Sequence, residues 1–555
     1  MDKYIVTSAL PYANGKLHIG HLAGAYLPAD IYVRFLKLCN ENVIYICGTD
    51  EHGAPISIKA EAEKKTPQEI VDVYHNSIKA SFDAVHINFD NFSGTSRAVH
   101  HDLAQDFFLT LLKNNKINPH MTKQQFCEND KRFLPDRYVE GECPHCLAQK
   151  ARGDQCDACG KLIDAILLKD PICKLCGNTP IVKETMHWFI DLPSFSKPLR
   201  KWLESKENWK DNVKNFILNW IDDGLLERSI TRDINWGVPV PLENAAGKVL
   251  YVWFDAPIGY ISSTIEWSPE KWQEYWFDKK TKLVHFIGKD NIPFHAIIWP
   301  ALLMGQDKDF VLPWDIPANE YLTLEGEKIS TSRDWAIWVE DFVKDFDGDL
   351  LRFALAVNAP ETKDADFSWK EFQSLVNNCL ANVLGNFAHR IFVFAKKSFA
   401  GELSLSDDFS KQNDTWWDQN IINEIHCAYS EFKVRKAVKL IIDLAREGNR
   451  YFDEQKPWQV AKEDPKKAEK ILFNCAELLR VISIVFSPIM PKSMKRLRMM
   501  FLDIEQAISP EVFWKDIFNT PKRFIVNEFE PLFKKIEDNE IEYQMKKLYG
   551  KTKSE

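Results

Sequence analysis

Two histidines three residues apart lie near the amino terminus, in the stretch Leu17-His18-Ile19-Gly20-His21. An apolar run and an Asn-Gly turn precede them, and a helical pattern follows, so both rings are predicted at the N-terminus of a helix. Unpaired backbone N–H groups and the positive end of the helix dipole favour a phosphate there, and imidazoles can donate hydrogen bonds to its oxygens. A metal site and simple packing of one ring are the alternative uses of such a pair.

A second polar stretch, EGEKISTSR over residues 325–333, combines a lysine, three hydroxyls and an arginine. These groups suit a mobile loop that holds a phosphate, although clusters of Gly, Ser and Thr between apolar runs are usually plain turns. Its composition alone leaves both interpretations open.

The chain has twelve cysteines, six of them in Cys-x-x-Cys pairs that stand close together. In a chain of this length without an evident secretory leader, the pattern indicates metal ligation rather than disulfides. Two of the pairs supply four thiolates at the spacing that tetrahedral Zn²⁺ prefers, which predicts a structural zinc site with His145 as a bystander. These four ligands are Cys143, Cys146, Cys156 and Cys159.

Composition narrows the class of protein. Lys and Arg number 71 against 80 Asp and Glu, for a net charge of −9, which disfavours nonspecific coating of nucleic acid. One basic patch at residues 492–498 has helical spacing, and a solvated helix face explains it as well as a nucleic-acid contact does. A hydrophobic fraction of 45% predicts a globular protein, and without a membrane-length apolar run or a signal peptide we expect it in the cytosol, with no membrane partner.

Strand-like runs alternate with helical patterns in the first half of the chain. Residues 4–10 and 43–47 predict buried strands joined by a helix through about residue 38, and further strand-like runs stand at 249–254 and 283–287. From about residue 364 the pattern is consecutive amphipathic helices. We therefore expect an α/β fold, a doubly wound parallel sheet of the Rossmann type split by a cysteine-rich insertion and followed by a helical bundle.

The HIGH stretch at residues 18–21 resembles the signature of class I aminoacyl-tRNA synthetases, and the likeness extends to the methionyl-tRNA synthetase family over nearly the whole chain. Further matching segments occur in the family's order, at residues 9–15, 48–53, 251–260 and 285–290. The loop at residues 328–332 occupies the position of the family's KMSKS motif, with Thr331 in place of the second lysine.

The resemblance implies a two-step reaction. The methionine carboxylate attacks the α-phosphorus of ATP, giving methionyl-adenylate and pyrophosphate, and the 3′-terminal ribose hydroxyl of tRNA(Met) then takes the methionyl group. Positioning and charge stabilisation would supply most of the catalysis, with Mg²⁺ accompanying ATP. Lys328, together with Arg333, would supply the cationic contact to the pyrophosphate.

The resemblance also assigns residues to roles. The catalytic set is His18, His21, Arg232 and Lys328. The ATP-binding set is Pro11, His18, Gly20, His21, Gly288, Asp290, Lys328, Thr331 and Ser332. Asp50 would hold the ammonium group of L-methionine, and the other methionine-binding residues are Leu10, Tyr12, Trp253, Ala256, Pro257, Tyr260, Phe294, His295 and Trp299.

Two further sites follow from the resemblance. Two-zinc family members have a second knuckle, and the matching residues here are Cys127, Asp130, Cys173 and Cys176. Because an aspartate replaces one thiolate, either a Cys₃Asp zinc site of weaker occupancy or an empty site is expected. The CAU anticodon would be bound by Asn386, Arg390, Pro457 and Trp458, since unpaired bases stack on an indole while Arg and Asn bond their edges.

The expected division of the chain begins with a first catalytic half at 1–117, a zinc-knuckle insertion at 118–232 and a second catalytic half at 233–322. The KMSKS-like and stem-contact region at 323–375, the anticodon-binding domain at 376–525 and the C-terminal arm and helix at 526–555 complete it. We expect a monomer, because the dimerising module of some family members is missing. The rival hypotheses are another class I synthetase, which would need a bulky editing domain in the insertion, and an RNA-binding protein that has lost catalysis.

Overall fold

The structure is a computed structural model that describes residues 2–153, 156, 158–159, 161, 163–331, 333–404, 416–502 and 513–551. Its centre is a parallel sheet of five strands, β1 (Lys3–Ser8), β2 (Asn42–Thr49), β3 (Asn91–Gly94), β4 (Lys282–Gly288) and β5 (Pro313–Asp315). Their order across the sheet is β5-β4-β1-β2-β3. A short strand, Ala318–Asn319, also pairs with β4.

Both faces of this sheet are buried. Successive residues of β1 enter different hydrophobic cores, Ile5 on one face and Val6 on the other, because side chains alternate along a strand. Tyr45 of β2 joins the core of Val6, whereas Ile44 joins that of Ile5. The predicted doubly wound sheet is therefore confirmed.

Helices connect the strands of the first half. The first connection is one long helical segment with a π-helical middle, and two helices precede β3 and one follows it. These elements are Ile19–His21, Leu22–Tyr26 (π), Leu27–Leu38, Ala54–Glu63, Pro67–Ala84 and Ala98–Lys113.

The chain between β3 and β4 contains the insertion. A four-stranded antiparallel sheet comprises Ile117–Cys127, Arg132–Phe133, Ile181–Ile190 and Arg228–Ser229. A smaller sheet comprises Val139–Glu142, Ala151–Arg152 and Lys169–Cys173. Two helices, Ser196–Glu204 and Asp211–Asp223, complete this part.

The predicted strand at residues 249–254 is wrong beyond its first two residues. Only Val249–Leu250 is a strand, and it pairs antiparallel with Thr231–Arg232 outside the central sheet. The chain then forms the helix Val252–Asp255 and a 3₁₀ turn, Ala256–Ile258, with Pro257 in the first turn, where its missing N–H costs nothing. A short buried apolar run has no periodicity that separates helix from strand, which explains the error.

The remaining helices before the bundle are Gly259–Trp267, Trp272–Trp276, Phe294–Ile298 (π), Trp299–Met304, Val339–Asp345 and Gly348–Val357. A small sheet of Leu322–Leu324, Glu327–Lys328 and Ala365–Phe367 lies beside them. Arg352 connects the sheet domain to the C-terminal helices. Its buried guanidinium pairs with Asp30 of the first helical connection at 2.6 Å and also donates to the Ile489 carbonyl.

The helical part begins at Trp369–Leu375 and ends with Asp538–Lys551. Between them lie Val376–Gly385 (π), Asn386–Phe399, Asn420–Ser430, Val434–Gln455, Pro457–Val460, Pro465–Val485 and Pro491–Phe501. Two strands, Glu402–Ser404 and Arg523–Ile525, pair antiparallel. In the basic patch, Arg498 turns inward and donates to the Ser483 carbonyl. Throughout the described ranges, every helix is too short or too polar to cross a bilayer.

Candidate functional site

His18 and His21 form a reciprocal cap at the first helix. The His21 backbone N–H donates to His18 Nδ1 at 3.3 Å, and the His18 backbone N–H donates to His21 Nδ1 at 3.2 Å. The rings stack with centroids 3.6 Å apart. Because each Nδ1 accepts a hydrogen bond, the proton of each neutral ring is on Nε2. The pair therefore offers two N–H donors.

Burial keeps these rings neutral. It lowers the pKa of His18 well below its ordinary value, with a smaller contribution from His21, and it lowers the pKa of His21 to about 4. Neutral donors at a helix N-terminus can bind an anionic oxygen without taking up a proton.

The loop of residues 328–338 lies directly over this helix start. The Ile19 N–H donates to the Ile337 carbonyl at 3.1 Å, and His18 and Trp338 form an antiparallel bridge. A Cβ at Gly20 would lie 3.0 Å from Ile329 Cδ1 and 3.0 Å from His18 Nδ1, so a larger residue here would crowd both the loop and the histidine cap. The two polar stretches found in the sequence are thus parts of one site.

A two-residue turn begins this loop. Glu325 and Gly326 have φ of 50° and 80°, and they join Leu322–Leu324 to Glu327–Lys328 as a tight hairpin. The Lys328 side chain is exposed, with Nζ 5.8 Å from the centroid of the Tyr321 ring. Arg333 lies 3.9 Å from Glu327 in an exposed ion pair and is not among the residues that line the cleft described next.

A cleft of about 830 Å³ opens between the helix start and the loop. It contains eight of the nine predicted ATP-binding residues, and Ser332 lies outside the described residues. The eight are Pro11, His18, Gly20, His21, Gly288, Asp290, Lys328 and Thr331. Gly288 ends β4 and has open space where a Cβ would stand, while Asp290 accepts a hydrogen bond from the Tyr321 hydroxyl.

The cleft also contains cationic residues that the sequence analysis missed. Lys59 Nζ donates to the Asn14 carbonyl at 2.8 Å and to the Tyr74 hydroxyl at 2.6 Å, and Lys16 pairs with Glu340 at 2.5 Å. Lys16 stands two residues before His18 and could have been found from that spacing. Lys59 is brought in by the helix Ala54–Glu63 and had no local signal.

Asp50 lies at the carboxyl end of β2, where ligands of parallel sheets bind. It is 4% exposed, and its backbone pairs with that of Tyr12, which lines the cleft. Burial, together with the nearby Asp255 charge, raises the pKa of Asp50 well above its ordinary value. A carboxylate in this position requires a cationic partner to be ionised at neutral pH.

Leu10 and Tyr12 are predicted methionine-binding residues that line the cleft. Leu10 lies against Gly259, and the other predicted residues form an aromatic wall behind it. Trp253 and Phe294 pack with ring centroids 4.4 Å apart. Ala256 and Pro257 form the 3₁₀ turn that leads to Tyr260.

Tyr260 and His295 form the polar part of this wall. His295 Nδ1 lies 3.1 Å from the Asn291 carbonyl and must donate to it, so Nε2 accepts from the Tyr260 hydroxyl at 2.7 Å. Burial lowers the pKa of His295 to about 4, consistent with a neutral ring. Trp299 is fully buried at the base of the wall, with 6.4 Å between its ring centroid and that of Tyr260.

Arg232 lies apart from the predicted catalytic set. It lines a second cleft of about 310 Å³ together with Tyr251 and Trp253, and its guanidinium stacks 3.6 Å above the Tyr251 ring. Its Nη1 donates to the Thr231 carbonyl at 2.9 Å and to the Ser229 hydroxyl at 3.2 Å. Sequence spacing could not reveal this separation.

Four cysteines of the insertion converge as predicted. Their sulfurs lie within 4.8 Å of one another, with 4.0 Å between Cys143 and Cys159 and 3.7 Å between Cys146 and Cys156. Four thiolates bound tetrahedrally at about 2.3 Å are about 3.8 Å apart, so this donor set fits Zn²⁺.

The second group converges as well. Asp130 Oδ2 lies 3.1 Å from the sulfurs of both Cys127 and Cys173, and Cys176 Sγ lies 3.4 Å from Cys127 Sγ. A carboxylate oxygen thus takes the place that a fourth thiolate would have. Three thiolates and one carboxylate also fit Zn²⁺, although this set has one soft thiolate fewer than the Cys143 cluster.

Two of the four predicted anticodon residues, Arg390 and Trp458, pack on one aromatic ring of the bundle. Arg390 stacks 4.4 Å over Phe452 and pairs with Asp453, while the half-exposed Trp458 packs against Phe452 from the other segment. Asn386 donates to Asn449 at 3.0 Å, and Pro457 follows the left-handed Lys456. The sequence analysis did not identify three partners of these residues, namely Asn449, Phe452 and Asp453. Asn449 and Asp453 stand four residues apart on the helix Val434–Gln455, so they share one face, and that spacing could have revealed them.

Comparison with known proteins gives matches along the chain. The family model described as tRNA synthetases class I (M) matches residues 4–392, and that described as the anticodon binding domain of methionyl tRNA ligase matches residues 413–553. The methionine–tRNA ligase of Pyrococcus furiosus is 46% identical over 99% of this chain and 78% of its own length. That of Bacteroides fragilis is 46% identical over 99% of this chain and 81% of its own length.

A solved structure shares the fold. The Mycobacterium tuberculosis methionyl-tRNA synthetase in complex with methionyl-adenylate superposes with a TM-score of 0.78 at 23% identity, over 96% of this chain and all of that one.

Proposed function

Because this chain belongs to the methionyl-tRNA synthetase family of class I aminoacyl-tRNA synthetases, we propose that its main cleft is where methionine and ATP react. The chain is a methionine–tRNA ligase. It joins methionine to ATP, releasing pyrophosphate and forming methionyl-adenylate, and then transfers the methionyl group to the 3′ end of tRNA.

The ATP triphosphate, which enters with Mg²⁺ as the substrate complex, lies in this proposal against His18 and His21. Their Nε2–H groups donate to phosphate oxygens, and the helix N-terminus supplies further positive potential. Lys328 reaches the leaving pyrophosphate from the loop above, and Thr331 adds a hydrogen bond without charge. Gly288 and Asp290 take the adenosine.

Methionine lies between Asp50 and the aromatic wall. Asp50 binds the ammonium group, which supplies the positive charge that its buried carboxylate lacks. The Tyr260 O–H already donates to His295, so shape and sulfur–aromatic contact, rather than a donated hydrogen bond from this phenol, distinguish the thioether. Arg232 lines the second cleft beside Trp253 of this wall.

The tRNA contacts the bundle through Arg390, Asn386 and Trp458, with Trp458 as the stacking platform for an unpaired anticodon base. Zinc in the Cys143 cluster, and with lower affinity in the Cys127 cluster, would hold the insertion folded. The monomeric state and the cytosolic location stay predictions, and sedimentation velocity of the purified chain tests the first.

The observation that carries this proposal is the contact of residues 328–338 with the histidine cap, because it places cationic and neutral donors around one cleft. The test is ATP–pyrophosphate exchange with each standard amino acid in turn. Exchange that depends on methionine alone supports the proposal. Exchange with leucine, isoleucine or valine favours another synthetase activity, and none at all favours an RNA-binding protein without catalysis.

A further inference from the structure

A buried polar cluster behind the main cleft lies outside the proposed methionine and ATP contacts. Asp255 is fully buried, and its Oδ2 lies 2.5 Å from His52 Nδ1 and 3.7 Å from His100 Nε2. His101 lies on the far side of His52, with 3.3 Å between their Nε2 atoms. Within the described part of the chain, Asp255 Oδ1 has no hydrogen-bond partner. Such a group is costly to bury and requires a reason.

The charge of this carboxylate is maintained by its neighbours. Burial alone would raise the pKa of Asp255, but the hydrogen bond from His52 and the nearby His100 ring hold it below its ordinary value. The contact with His52 is therefore a charge-assisted hydrogen bond from Nδ1–H to the carboxylate.

A metal ion is a poorer explanation for the cluster. His52, His100 and Asp255 offer donors within 4.8 Å of one another, which is close enough for a shared ion. Two ligands bound tetrahedrally to one zinc at about 2.0–2.1 Å would, however, stand about 3.3 Å apart. The separation of 2.5 Å between His52 Nδ1 and Asp255 Oδ2 is too short for two ligands of one ion and fits a short direct hydrogen bond.

The cluster touches both sides of the methionine site. Asp255 stands in the chain between Trp253 and Ala256 of the aromatic wall. His52 belongs to the segment after β2, and its backbone N–H lies 3.4 Å from Asp50 Oδ1. Gly53, with φ of 99°, turns the chain immediately afterwards.

The same segment is fixed on its other side. The Trp236 indole N–H donates to the Glu51 carbonyl at 2.6 Å, and the Glu51 carboxylate accepts from Thr49 and from the Ser96 N–H. The second half of the sheet domain thus holds this segment at two points, the Glu51 carbonyl and the His52 ring, and His52 is the residue whose backbone N–H faces the Asp50 carboxylate.

We propose that Asp255 is a positioning residue for the amino group of the substrate: it holds the His52 imidazole, which fixes the His52 backbone N–H against the Asp50 carboxylate. This inference rests on the proposed role of Asp50 as the ammonium site. It makes the aromatic wall and the ammonium site a single coupled unit.

Two probes separate this role from a general structural one. L-methioninol has the ammonium group and thioether of methionine, and 4-(methylthio)butanoate has the thioether and carboxylate but no amino group. Calorimetric titration of the full chain should show that Asp255→Asn weakens L-methioninol about tenfold, the usual size for coupled neighbours, and leaves the second probe unchanged. Equal weakening of both probes, or of neither, overturns the inference.

His52 provides a second pair of variants if Asp255→Asn does not fold. The amide of His52→Asn places an N–H close to the position of Nδ1 and should keep L-methioninol binding, whereas His52→Ala should lose about as much as Asp255→Asn. Asp315→Asn is the control, because it removes another buried carboxylate, which accepts a hydrogen bond from the Ile316 backbone N–H. The affinity for both probes should be unchanged in this variant.

A double-mutant cycle with Asp50→Asn completes the test. Asp50→Asn alone should weaken L-methioninol, and Asp255→Asn should then add nothing further. Additive losses overturn the inference and leave the role of Asp50 intact. If Asp50→Asn has no effect, the proposed ammonium site itself is wrong. Loss of one zinc ion per chain in Asp255→Asn would show a metal site instead.

Discussion

Each of His18 and His21 accepts the other's backbone N–H at Nδ1, at 3.3 Å and 3.2 Å. The same contact caps the helix and fixes the tautomer, so one structural device prepares both Nε2–H groups for an anion. Capping and catalysis should therefore be separable by substitution.

His18→Asn separates them. Asparagine is a good N-cap and can accept the His21 N–H, but it has no group at the position of Nε2–H. We expect kcat of methionine-dependent pyrophosphate exchange to fall about 10²–10³-fold, as for loss of one donor to a developing charge, with the thermal midpoint nearly unchanged. His18→Ala should lose the same rate and also about 0.5–2 kcal/mol of stability. A full rate in His18→Asn would contradict this assignment.

The lowered pKa of His21 predicts how stability depends on pH. Below its ordinary value of 6.5 the unfolded chain binds a proton at this ring, whereas the folded chain does so only near pH 4. The free energy of unfolding should therefore fall as the pH is lowered through this window. Urea unfolding at about pH 7.5 and about pH 5 measures it, and His21→Asn should lose less stability between the two conditions than the parent. Equal losses would show that His21 titrates normally.

The second cysteine cluster predicts unequal metal affinity. With Asp130 in place of a thiolate, one zinc ion per chain should leave in a mild chelator while the other stays in the Cys143 cluster. Plasma emission of the dialysed protein counts the ions. Asp130→Cys should retain both, and two tightly held ions in the parent would contradict the prediction.

Replacing Trp458 should weaken the tRNA-charging step and leave methionine activation intact. Its ring is 40% exposed beside Phe452, so Trp458→Ala should lower kcat/KM for tRNA charging by about 10–100-fold through lost base stacking, with pyrophosphate exchange unchanged. Trp314→Ala, which removes another partly exposed indole, is the matched control. Equal loss of both activities in Trp458→Ala would mean that this residue is structural.

Local patterns in the sequence predicted the parts of the fold that local physics controls. The Asn-Gly turn and the helical period placed His18 at a helix start, and cysteine spacing placed the knuckle ligands. Strand-like composition failed at residues 252–254, because an apolar run this short is compatible with a helix as well as a strand. The domain boundaries stay predictions.

Features that depend on tertiary contact could not be predicted. The contact of Ile329 with Gly20 joins residues more than 300 positions apart, and the arrival of Lys59 in the cleft depends on how a helix packs. Lys59 lines the main cleft without having been predicted there, whereas Arg232 was expected beside the reacting groups from the family resemblance. The structure stacks Arg232 on Tyr251 in the second cleft.

Single-turnover formation of methionyl-adenylate tests the central claim, that the loop over the histidine cap supplies the cation for the pyrophosphate. In Lys328→Ala the rate should fall about 10²-fold or more with methionine affinity unchanged, because a charge contact made in the transition state is removed. Arg333→Ala should keep most of the parent rate, since Arg333 pairs with Glu327 outside the cleft. An unchanged rate in Lys328→Ala would contradict the account.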